Sequence, residues 1–433
     1  MFKSRISSII AIPLILIVAL CFISVFKSLK NYTPPQLTVI GAVLMADGIG
    51  SQAAELINAL KDDIDVGFKK GNGHFAIKGT SQGIQSILKN RKRPLGKVIV
   101  YEDCLGFGES FQGVIKGPKN EQSIRIAYSM FESSEIPPEW VNSLNTYFDA
   151  VAVPDKFFMD VYKNSGVTIP IFELPLGLNL NRFLTAPLKT QKHSPMVFAN
   201  LGSAIPRKNQ LKLIQAFHQA FGNSPDVKLR INCRFGDEQV IQDMQDEIAK
   251  LQASNIEFTI RELNADVYFK TLENTDCYVN ISSGEGFSIQ PRQAMALGMP
   301  TITTDNTAQS TICQSHLGCA VPSLNLIPAF YPDLHNCYGS FYDCNVEDVA
   351  AAFRDVYDNY DHYLGQNLAA RAWASQYSYN QLKPLYLGII APKKIVLGNI
   401  NKITPDCLYM DSEVLCEKFS KLLEIPWSYA NDG

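Results

Sequence analysis

The 433-residue sequence predicts an α/β fold, two doubly wound domains in tandem behind an N-terminal membrane helix. Three features predict it. Short continuous apolar runs alternate with amphipathic stretches in two successive series, a polar proline-bearing segment separates the series, and residues 9–26, IIAIPLILIVALCFISVF, form an uncharged apolar run of 18. Continuous apolar runs suit strands covered on both faces, and helical stretches between them suit crossovers of a parallel sheet.

The run at 9–26 approaches the roughly 20 residues that cross a bilayer core. Lys3 and Arg5 precede it and Lys27 and Lys30 follow, so charge does not fix its orientation, and no small-x-small site closes it for cleavage. An uncleaved single-pass anchor is expected, after a flank (1–8) and before a linker (27–36), with the folded domains on the cytoplasmic side. The first domain, 37–180, has strand candidates LTVIGAVLM, KVIVYED, IRIAYSMF, DAVAVP and PIFELPLG, with helices near 51–61, 81–90, 138–147 and 156–164. Segments 66–93 and 103–123 read as loop regions of this domain.

Residues 181–195 lose the pattern and read as an interdomain linker. The second domain, 196–376, alternates MVFANLGS, KLRINCRF, IEFTIREL, CYVNIS and TITTD with helices, then two helical patterns, VEDVAAAFRDVYDNY and GQNLAARAWASQYS. Residues 377–433 read as a crossover and a tail carrying the helix SEVLCEKFSKLLE.

Composition narrows function. A net charge of -3 from 39 basic and 42 acidic residues argues against nucleic acid as partner. Ten cysteines without a CxxC pair give no zinc-binding pattern, and Cys233 and Cys277 lie inside apolar strand runs, which favours buried thiols in a reducing compartment. The sequon at Asn280 abuts the motif described next and reads as fortuitous.

Three segments carry chemistry. In MADGIGSQAAELINAL, Gly48 and Gly50 sit where a strand turns into a helix, permitting close backbone approach, though GxG without a third glycine is a poor dinucleotide fingerprint. In GSAIPRKNQLKLIQAF, Arg207 and Lys208 follow a strand and precede a helix, where two cations can neutralise a diphosphate. In SSGEGFSIQPRQAMALGMP, Glu285 stands between Gly284 and Gly286 beside the amides of Gly286 and Phe287, which are expected to open the next helix; a carboxylate there suits sugar hydroxyls, or simply caps the helix.

Together these segments resemble the retaining glycosyltransferases of the GT-B fold, of the family 4 or group 1 type, with their Glu-x7-Glu motif followed by small residues and G-x-P. The resemblance runs from about 37 to 390 and includes SMFESSEIPPEW, VAVPDKF, LPLGLN and RKN. It implies two Rossmann-like domains, a nucleoside-diphosphate sugar donor on the second, and a glycan, lipid or protein acceptor on the first. It further implies transfer with retention and without a metal or other cofactor. Catalytic candidates are then Glu285, Lys208, Arg207 and, after the third strand, Glu132. Donor-binding candidates are Gly48, Gly50, Ser203, Gly284, Gly286, Phe287, Ser288 and Gln293. Two positions depart from the pattern: Ser203 stands where relatives often carry Arg, and Gln293 replaces the second motif glutamate, which in relatives binds ribose. A nucleotide-sugar-binding protein without turnover and a sugar-nucleotide epimerase of the same fold remain as alternatives.

Overall fold

The computed structural model describes residues 33–45, 48–102, 117–398 and 401–430. The run expected to form a membrane helix lies outside them; among the described residues no helix is long and apolar enough to cross a membrane.

Six parallel strands build the first domain: β1 (Leu37–Val43), β2 (Val66–Phe75), β3 (Val98–Glu102), β4 (Ile124–Tyr128), β5 (Ala150–Val153) and β6 (Ile171–Glu173), ordered β2-β1-β3-β4-β5-β6. β1, β3, β4 and β5 are buried at every residue, which is why each reads as a mostly apolar run. β2, VGFKKGNGHF, corrects the loop expected after residue 66. Among the described residues it is an edge strand paired only with β1, and lysine and glycine there conceal the pattern while discouraging further pairing.

The second domain repeats the plan with β7 (Met196–Ala204), β8 (Val227–Gly236), β9 (Ile256–Ile260), β10 (Cys277–Asn280), β11 (Thr301–Thr304) and β12 (Cys319–Val321), ordered β12-β11-β10-β7-β8-β9. All neighbours are parallel. The chain proceeds outward from β7 to β9 and then returns to lay β10 on the other side of β7. The loops leaving β7 and β10 therefore diverge, opening a crevice at their carboxyl ends; β1 and β3 do the same in the first domain.

A hairpin not foreseen in the sequence, β13 (Asn325–Tyr331) and β14 (Asn336–Asp343), follows β12. The helix Tyr379–Ile390 then crosses back to the first domain. Leu178 N donates to Tyr377 O at 2.8 Å, and the hydroxyl of Tyr379 reaches Gln52 Oε1 at 3.3 Å. Gly177 of LPLGLN is required here, because a Cβ would fall 2.4 Å from the Tyr379 ring.

The segment expected as a tail is a folded layer of four strands, β15 (Lys394–Leu397), β16 (Lys402–Ile403), β17 (Cys407–Met410) and β18 (Trp427–Tyr429), with the helix Glu413–Leu423. Lys418, buried, pairs with Asp149 of the first domain at 2.6 Å. One apolar cluster joins Leu56 and Leu176 of the first domain, Leu201, Phe287 and Met295 of the second, and Tyr386 of the crossing helix. That shared core fixes how the two crevices face one another.

Candidate active site

The crevice between β7 and β10 collects the charged residues. After β7, Pro206–Lys208 make a single tight turn, and Asn209 at φ 57° bends the chain into the helix Gln210–Phe221. Asparagine tolerates that left-handed backbone, and its side chain ties the turn to Ile281 O at 3.1 Å and Asp343 Oδ1 at 3.0 Å. Ser283 N donates to Arg207 O at 2.8 Å, so the loops leaving β7 and β10 are stitched together.

Lys208 Nζ donates to Glu285 Oε1, and Arg207 Nη1 lies 3.4 Å from Glu285 Oε2. Arg207 also donates to Gly284 O at 2.7 Å and to Glu132 Oε1 of the first domain at 3.0 Å. Glu285 N donates to Thr307 Oγ1 at 2.9 Å. Burial alone would raise the Glu285 carboxyl, but Lys208 and Arg207 outweigh it and hold it down at about 2. Burial presses the Lys208 ammonium the opposite way, below its ordinary value, with Glu285 resisting. The site is thus two cations matched by two carboxylates, one from each domain.

The glycines beside Glu285 answer to the domain contact. A Cβ on Gly284 would stand 2.1 Å from Glu132 O, and one on Gly286 would press on Phe131 O at 3.2 Å. Any side chain at Gly284 would push the domains apart. The helix expected to open on the amides of Gly286 and Phe287 instead begins at Ile289, after Ser288 at φ 66°. Phe287 is a core residue: its ring lies 5.5 Å from Tyr377, and the Arg292 guanidinium sits 3.9 Å above it. Ser288 Oγ accepts from Asn280 Nδ2 at 2.9 Å; Asn280 is buried, which leaves no room for a glycan.

The other candidates are more scattered. Gln293, half-buried, accepts the Tyr268 hydroxyl at 2.6 Å. Ser203 lies near the end of β7, where its carbonyl accepts from Gln210 Nε2 at 2.8 Å. Gly48 begins the first-domain helix Gly48–Leu60, and Gly50 packs on Leu44, 2.8 Å from where its Cβ would be. These two belong to the β1 side of the crevice, and no described bond joins them to the charged cluster.

Sequence reasoning missed the hairpin's part in the site. Tyr342 N donates to Ser283 O at 2.8 Å, and Ser133 Oγ donates to Tyr338 O at 2.7 Å. Ser340 N donates to Ser134 Oγ at 2.9 Å, and Tyr331 stacks on Phe131 with ring centroids 4.6 Å apart. The hairpin therefore straps the Glu285 loop to the segment SMFESSEIPPEW. Arg292 was also missed, although it is the one charged residue of the motif helix; it is fully buried, with its Nη2 3.9 Å from Asp155 Oδ2.

Residues 187–322 match the family model Glycosyl transferases group 1, a stretch that takes in part of the linker and the loops carrying Arg207, Lys208 and Glu285. An uncharacterized glycosyltransferase of Methanocaldococcus jannaschii is 28% identical over 148 residues, covering 33% of this chain. The chain spans about a third, 34%, of that curated relative. Anabaena Alr3699/HepE, crystallised in complex with UDP, superposes with a TM-score of 0.57 at 12% identity, over 80% of this chain and 96% of that one. A mutant of S. aureus TarM, in complex with Fondaparinux, alpha-GlcNAc-glycerol and UDP, gives 0.52 at 13% identity, over 68% of this chain and 55% of that one. The family match covers most of the second domain, and these neighbours share the two-domain fold.

Proposed function

We propose that this chain transfers a sugar from a nucleoside-diphosphate sugar to a hydroxyl of a glycan, lipid or protein, with retained anomeric configuration and without a metal. The observation that carries the reading is the Arg207, Lys208 and Glu285 cluster at the crevice between β7 and β10, faced by Glu132. In the unliganded chain the two carboxylates neutralise the two cations. A donor diphosphate replaces that compensation: Lys208 and Arg207 turn to the phosphates, and Glu285 is freed for hydroxyls of the transferred sugar. As the bond from sugar C1 to the diphosphate oxygen breaks, that oxygen keeps the electron pair. The buried cations stabilise its charge more than water would. The acceptor oxygen bonds to C1, and its proton leaves on the diphosphate.

The donor belongs on the second domain (196–376) and the acceptor on the first (37–180), with residues 9–26 anchoring both to a membrane. Uridine is the first base to test, because the Alr3699/HepE and TarM crystals held UDP. The departures at Ser203 and Gln293, the latter engaged by Tyr268, favour a second reading in which the chain binds the donor without turnover. Product analysis with labelled UDP-sugars and candidate acceptors separates the readings. A new glycosidic bond is expected, lost in Lys208→Ala and Glu285→Ala. An altered free sugar nucleotide would mean an epimerase, and an unchanged donor that still raises Tm would mean a binding protein.

A further inference from the structure

The first domain concentrates positive charge in one stretch. Residues 61–97 hold nine lysines and arginines against three aspartates, in a chain whose net charge is -3. All three aspartates are committed: Asp62 to Lys61, Asp63 to Lys383 and Asp65 to Arg93. Lys97 pairs with Glu424. No ion pair among the described residues takes up Lys70, Lys78, Lys89, Arg91 or Lys92, and all five are exposed. Lys70 lies on β2, Lys78 in the turn after it, and Lys89, Arg91 and Lys92 at and just past the end of the helix Gln82–Lys89, with Arg91 folded back over the Phe75 ring at 4.6 Å. Lysines on β2 alone would be accounted for by protection of an edge strand. Lys89, Arg91 and Lys92 lie beyond that strand, so edge protection does not explain them.

The same surface receives the chain as it enters the domain. Arg93 donates to Thr33 O through Nε at 3.3 Å and Nη2 at 3.1 Å, while its guanidinium holds Asp65. Pro35 is packed so closely that a Cβ on Gly67 would lie 2.8 Å from its Cγ and one on Gly96 2.4 Å from its carbonyl oxygen. Only residues 27–32 separate this pinned entry from the apolar run ending at Phe26. Six residues span about 20 Å at full extension. A bilayer holding that run would therefore have the basic face within reach, and Lys27 and Lys30 add to the same sign of charge.

We propose that the β2 edge and the end of the Gln82–Lys89 helix, through Lys70, Lys89, Arg91 and Lys92, form a docking face for an anionic phospholipid surface. This rests on the reading of residues 9–26 as a membrane segment, but concerns a separate contact that selects lipid charge. Each such residue at an anionic surface is worth about fivefold in partitioning, and the effect is screened within a Debye length.

The test uses the full chain and vesicles of phosphatidylcholine alone or in equimolar mixture with phosphatidylglycerol. The wild-type chain is expected to prefer the anionic vesicles, less so at high salt. Lys70→Glu/Lys89→Glu/Lys92→Glu should lose that preference at least tenfold, with neutral-vesicle partitioning and Tm unchanged. The matching Gln variant should fall between. An equal preference in wild type and variant, or none in wild type, overturns the proposal. So does a variant that keeps its lipid preference while losing binding to soluble heparin, which would make the face a polyanion site. Failure of the wild type to enter neutral vesicles would count against the anchor instead, and is read separately from the charge preference.

Discussion

Lys208 and Glu285 are both largely buried, so each is tolerable mainly because of the other. Removing one partner of such a pair leaves an uncompensated charge, at a cost of about 3 kcal/mol. Glu285→Gln and Lys208→Met should each lower unfolding stability by that order, and the double variant should lose clearly less than the sum. Additive losses in denaturant titrations would show the two side chains to be uncoupled. Gln293 is legible as a departure from the motif, but its Tyr268 partner is not, because the two are 25 residues apart on different helices. Gln293→Glu keeps an acceptor for that hydroxyl. If position 293 reaches the donor ribose, the charged acceptor should tighten UDP binding about fivefold, the difference between charged and neutral hydrogen bonds. Unchanged affinity would confine residue 293 to its bond with Tyr268.

Among the elements, the hairpin of β13 and β14 adds most to what motif reading suggested. Its strands hide from the sequence because β13 exposes most of its residues, so no alternation of apolar and polar positions marks it. Its docking depends on Gly339, at φ 64°, where a Cβ would meet Ser134 Oγ at 2.6 Å and Glu135 N at 2.7 Å. Gly339→Ala should therefore loosen the strap and lower Tm, and should raise KM for the donor more than it lowers kcat. A variant with wild-type Tm and KM would show that the strap does not hold the crevice. By contrast, β1, β3, β4, β5, β7 and β10 were readable, because burial of all or most of each strand leaves a largely apolar signature.

At the scale of the whole molecule, the two-domain plan was legible from the repeated alternation, whereas the way the halves share a core was not. That core is built from long-range pairs such as Gly177 with Tyr379 and Phe287 with Tyr377, which local patterns do not encode. The layer formed by β15 to β18 was obscured because its strands are short. The shared core also holds a titrating group. Burial pushes the Glu102 carboxyl up to about 8, with Gln52 offsetting part of the shift. A carboxyl raised on folding binds more protons in the native state than in the unfolded one. Stability is then favoured below the ordinary carboxyl range and lost as pH rises towards 8. The difference in unfolding free energy between wild type and Glu102→Gln should slope across that window and flatten above it; a constant difference would contradict a protonated Glu102.

Lys208 and its neighbours at the β7–β10 crevice are proposed to hold a donor diphosphate. Calorimetric titration of UDP into wild type and Lys208→Ala tests it most directly, with Tm and circular dichroism confirming that the variant is folded. Saturable binding to the wild type is expected, with at least about tenfold weaker binding to the variant for the loss of a charged hydrogen bond to phosphate. Equal affinity in the two proteins would contradict it.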